Sequence, residues 1–141
     1  MDIGFKVFRI DESNFIPWNS NLTVENIEQA ILSTGNNLVD GRSELDLVYE
    51  LLLKHLKMDL NCIIEETTVN NNKIYIIDNG YALICLENNI DISIADELVK
   101  LKEDLMTEVC QVILKDESLD DTTSINIYET LNNNDMEFYT I

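Results

Sequence analysis

The sequence predicts an α/β fold: a small mixed, partly parallel sheet with flanking helices, plus an N-terminal strand and a two-helix segment. Three observations predict it. The C-terminal half alternates short apolar runs with amphipathic ones, Val109 to Leu114, Thr122 to Leu131, then Met136 to Ile141; alternation of that kind folds with parallel strands and helical crossovers. The middle of the chain holds apolar runs separated by Asn-rich and Asn-Gly turns, the pattern of hairpins. Its 141 residues, 45% of them apolar, suffice for one core of ordinary density, so residues 1–141 read as a single domain. Within it, residues 1–60 form a strand-plus-helices segment and residues 61–141 the α/β sheet.

Phe5 to Ile10 places apolar residues mostly at period two, which predicts an edge strand. An irregular stretch, Asp11 to Leu22, follows and carries the only proline, Pro17, beside the only tryptophan, Trp18. Thr23 caps a helix with the stripe Val24, Ile27, Ile31 and Leu32, and Gly35 ends it. Ser43 caps the next, Glu44 to Leu56, with acids in its first turn and Lys54 near its end. Leu45, Val48, Tyr49, Leu52 and Leu56 make its expected core face, while Leu47, Leu51 and Leu53 wrap round toward the other side. A helix apolar nearly all round must be covered on more than one side, by its own domain or by another chain.

Strands are expected at Ile63 to Val69 and Lys73 to Ile77, with turns at Asn70 to Asn72 and Asp78 to Gly80. Tyr81 to Leu86 is continuously apolar and predicts a central strand buried on both faces. A helix near Ser93 to Leu105 leads into the alternating tail.

Charge narrows the function. Twenty-seven acids against nine bases give a net charge of −18, with no basic patch, which argues against a DNA clamp. Cys62, Cys85 and Cys110 are odd in number and widely spaced, fitting a reducing cytoplasmic setting rather than a disulfide framework. Neither a basic-then-apolar leader nor a stretch long enough to span a bilayer is present, so no membrane role is expected and the protein reads as soluble and unprocessed.

No catalytic residue is expected. Four scattered glycines cannot build a P-loop, a dinucleotide fingerprint or a nucleophile elbow. Gripping a flipped adenine by the amino-methyltransferase route needs Pro-Pro-aromatic, and there is a single proline. None of the seven lysines follows an acid by two positions, as a metal-dependent nuclease would require. His55 at a helix end suits the helix dipole, and one histidine with dispersed cysteines makes no zinc site, so no metal is expected. Asp116, Glu117, Asp120 and Asp121 could chelate a divalent cation, but their spacing matches no EF-hand and Asp121 suits a helix N-cap. Phe15, Trp18, Leu47, Leu51 and Leu53 are the residues expected at a partner interface.

Several segments in order carry a resemblance. Phe5 to Phe15 followed by Trp18, then Gly41 to Lys54, Tyr81 to Leu86 and the closing Val112 to Ile141 are similar to the C-terminal region of type III restriction-modification DNA methyltransferases, the modification subunits. In the closing segment, Asp121 and Asn126 match the family's pattern, with Ser124 where the family carries Lys. The resemblance implies a non-catalytic domain that supports pairing of two modification subunits and assembly with the restriction subunit. It places adenine-N6 methylation and S-adenosylmethionine in an upstream catalytic domain, so no cofactor is expected in this chain, which would be a cut-out domain or a separately encoded remnant. The alternative is a free-standing acidic regulatory protein that mimics DNA charge. A small enzyme with an unrecognised carboxylate site at Asp116, Asp120 and Asp121 is a further rival.

Overall fold

The computed structural model describes residues 4–15 and 39–141, the side chain of Glu117 apart. The chain divides into two compact units, Met1–Asn61 and Cys62–Ile141.

The second unit contains a five-stranded sheet in the order β1 (Ile64–Val69), β2 (Asn72–Ile77), β3 (Ala82–Cys85), β4 (Cys110–Leu114), β5 (Met136–Thr140). The first three strands form an antiparallel meander, whereas β4 runs parallel to β3 and β5 parallel to β4. The mixed, partly parallel α/β architecture is as the sequence predicts.

The β1–β2 hairpin is set by two asparagines. Val69 pairs with Asn72, leaving Asn70 (φ 48°) and Asn71 (φ 64°) as a two-residue loop with both residues left-handed, the twist that matches paired strands. Asn72, expected in the turn, is the first residue of β2. Asp78, Asn79 and Gly80 turn β2 into β3 with three successive positive φ values. Only glycine fits the third, because a Cβ on Gly80 would lie 2.9 Å from Leu105 Cδ1.

The helices α2 (Ile94–Leu105) and α3 (Asp121–Asn132) make the two parallel crossovers and pack on each other, so both lie on one face of the sheet. That makes the unit two-layered. Ile76, Leu83, Val112 and Phe138 form one row across four strands beneath them; with Ile74, Cys85, Cys110, Leu98, Ile127 and Leu131 they build the core. The opposite face is apolar in its centre, where Tyr75, Ile77, Ile84 and Ile113 are also buried, and polar toward its edges at Glu66 and Glu137. Burial of β3 at every position follows from its central place.

Two expectations are corrected. Asp120 rather than Asp121 is the N-cap of α3, accepting from Thr123 N at 2.9 Å, because the helix starts one residue earlier than the sequence suggests. Residues Phe5 to Ile10 form no strand: Phe5, Val7 and Ile10 stand in solvent, and no ladder pairs the segment among the described residues. Alternation supplies a strand's faces but not its hydrogen-bond partner. The helix expected after Thr23 lies outside the described residues, as do Pro17 and Trp18.

Candidate functional site

The candidate site belongs to the first unit and is built on α1 (Glu44–Lys54). Its start is fixed by a capping box in which Asp46 N donates to Ser43 Oγ at 3.2 Å and Ser43 N donates to Asp46 Oδ2 at 2.9 Å. Ser43 Oγ, donating to Asp46 Oδ2 at 2.7 Å, and then Ser43 N hold the Asp46 carboxyl below the usual range.

One turn on, Glu50 is the only buried acid among the described residues. Burial alone would raise its pKa, but donors surround it. Lys54 Nζ and Ser13 Oγ (2.5 Å) donate to Oε1, while Asn14 N (2.7 Å) and Asn14 Nδ2 (2.6 Å) donate to Oε2. Together they outweigh desolvation and bring the carboxyl down to about 2. Asn14 Nδ2 also reaches the Asp46 carbonyl at 3.2 Å, and Lys54 Nζ reaches Ser13 Oγ at 3.1 Å. Glu50 therefore clamps the 13–14 stretch onto α1. A carboxylate with its acceptor positions filled and its proton affinity lowered is a poor general base.

Beside the clamp a groove of about 900 Å³ runs between residues 6–14 and α1. Its polar rim is self-neutralised in part: Arg42 (3.0 Å) and Arg9 (3.3 Å) share Asp11 Oδ2, holding the Asp11 carboxyl well below its ordinary value and raising Arg42. Phe8 meets Tyr49 edge-on, ring centroids 5.0 Å apart, and Lys6 Nζ sits 5.7 Å above the same Tyr49 ring while donating to the Leu60 carbonyl at 3.1 Å. Apart from Glu12, the remaining lining is apolar and largely open to water, with Val7 80%, Ile10 100% and Leu53 53% exposed.

Of the expected interface residues, Leu53 lines this groove. Leu47 and Leu51 are buried within the chain and do not reach its surface. Phe15 is half-buried, next to Asn14, whose carbonyl accepts from Val39 N at 2.8 Å. The covered arc of α1 is Leu47, Val48, Glu50, Leu51 and Leu52, while Leu45, Tyr49 and Leu53, spaced by four, share the more exposed side. Glu50 escaped the sequence reading. Its signal is an acid set amid Val48, Tyr49, Leu51 and Leu52, four residues before a lysine.

In the second unit, Asp120 spends its carboxylate on the α3 cap, taking Thr123 Oγ1 at 2.8 Å as well as Thr123 N. The thiols of Cys62, Cys85 and Cys110 are buried, and burial pushes Cys110 up to about 11. Among the described residues no three His, Cys, Asp or Glu side chains converge as metal ligands, and no helix is long and apolar enough to cross a membrane.

Fold and site thus define a class: a five-stranded mixed α/β unit, joined in one chain to a smaller unit whose α1 borders an apolar groove with a charged rim. No family model, no curated protein and no solved structure matches the chain.

Proposed function

We infer that this chain is a non-catalytic docking domain, the C-terminal region of a type III restriction-modification DNA adenine-N6 methyltransferase. Its task is to support dimerisation of the modification subunit and assembly with the restriction subunit in the cytoplasm. Methyl transfer and S-adenosylmethionine binding then fall to a catalytic domain outside these 141 residues. The observation that carries the docking role is the groove of the first unit, where Val7, Ile10 and Leu53 are left in water beside the hydrogen-bonded Glu50 clamp. Large apolar side chains gathered in one open groove are what a partner surface requires. The order of the family-like segments supplies the rest.

Sedimentation of the purified chain tests the reading, with the Val7→Lys/Leu53→Lys double variant as control. Concentration-dependent association that the variant abolishes is expected, and a wild-type chain that stays monomeric at every concentration counts against the dimer role. Incubated with labelled S-adenosylmethionine and adenine-containing DNA, the chain transfers no label; transfer lost on one point substitution would overturn the non-catalytic reading.

A further inference from the structure

We propose that Asn79 is this chain's principal site of spontaneous covalent modification, a succinimide-forming asparagine whose reaction is gated by opening of the β2–β3 turn. The sequence contains one Asn-Gly pair, Asn79-Gly80. Succinimide chemistry needs a following backbone nitrogen that no side chain shields, and glycine alone gives that.

The fold requires glycine at the second position and favours asparagine at the first. Gly80 has φ +104°, and a Cβ there would meet Leu105 Cδ1 at 2.9 Å and Thr107 Cγ2 at 3.1 Å, so no other residue fits. Asn79 has φ 57° and ψ 31°, a left-handed conformation that asparagine tolerates better than most side chains. The turn therefore favours the reactive dipeptide, and Asn79 is exposed to the water that the reaction consumes.

The reaction balances without any redox partner. The Gly80 nitrogen attacks Asn79 Cγ, a C–N bond forms, and the side-chain nitrogen leaves as ammonia with the proton given up by the Gly80 amide. Water then opens either imide C–N bond, giving aspartate or isoaspartate at position 79. Aspartate is accommodated, as Asp78 beside it already holds φ 44°. Isoaspartate lengthens the main chain by one carbon in the loop that sets the Ile77↔Ala82 register, which the hairpin cannot absorb.

The native turn also restrains the reaction. Ring closure requires rotation about the Asn79 Cα–C bond far from 31°, while the pairing of β2 with β3 and the packing of Gly80 on Leu105 resist that rotation. Modification is thus confined to molecules in which the turn has opened.

Ageing the full chain in mildly alkaline buffer, with and without unfolding urea, and mapping its peptides by mass spectrometry tests this. Isoaspartyl methyltransferase labelling separates the two products. Asn79 is expected to be the asparagine converted fastest in both conditions, with urea accelerating it by about tenfold or more. Faster conversion at any other asparagine overturns the site, and equal rates at Asn79 in native and unfolded protein overturn the gating. An Asn79→Asp variant, which keeps the turn and releases no ammonia, reports through its hydrogen exchange whether aspartate is accommodated; loss of β2–β3 protection in it would refute that part.

Discussion

Replacing Glu50 by Gln tests the clamp on which the groove depends. The carboxyl lies at about 2 instead of 4.5, although desolvation opposes that displacement, because Lys54, Ser13 and Asn14 all donate to it. A difference of that size corresponds to about 3 kcal/mol in favour of the folded state at neutral pH. Solvent screening removes little of it, since Glu50 is only 9% exposed. The sign follows from the folded pKa lying below the unfolded one: the stabilisation is complete above about 4.5 and is lost as pH falls from there toward 2. Glutamine keeps the shape but turns one acceptor into a donor that faces either Asn14 or the Ser13–Lys54 pair. The expected net loss is about 2 kcal/mol at neutral pH. Hydrogen exchange read on the amides of α1 is the suitable assay, because it reports the first unit alone, and protection there should fall roughly thirtyfold. The wild type should also lose more protection than Glu50→Gln on acidification through this window, the variant keeping only the response of Asp46 and Asp11. Unchanged protection in the variant, or an acid response as large as that of the wild type, would refute the clamp.

Three further outcomes are expected. Gly80→Ala places a methyl group 2.9 Å from Leu105 Cδ1 at φ +104° and should destabilise the second unit by about 2 kcal/mol or more, read as a lower urea midpoint. Asp120→Ala should lower the melting temperature by a few degrees while Asp120→Asn nearly restores it, since asparagine also caps Thr123; a metal-binding carboxylate would instead make the two variants equally damaging and add a Mg²⁺-dependent shift. Ellman's reagent should leave Cys62, Cys85 and Cys110 unmodified in the native chain and label all three in urea, because all are buried and Cys110 is pushed up to about 11. Rapid native labelling would show that the sheet opens readily.

What the sequence determined by itself was everything governed by near neighbours along the chain. Ser43 and Asp46 build the cap of α1 three residues apart, Asn70 and Asn71 close their hairpin without help, and the apolar run of Tyr81 to Leu86 announces a strand buried on both faces. The alternating tail fixes a parallel β3–β4–β5 order for the same reason, each crossover being one strand, one helix and one strand. Tertiary structure alone decided which neighbours exist across the fold. It buries Leu47 and Leu51 rather than Leu45 and Leu53, although all four are leucines on one helix, because the covered side depends on what the helix lies against. Among the described residues it leaves Phe5 to Ile10 without a ladder partner, and it brings Ser13 and Asn14 to Glu50 across sequence separations of 37 and 36 residues. Periodicity measures how apolar each side of a helix is; it carries no record of which side meets another surface, and that meeting is what turns an ordinary glutamate into the anchor of a groove.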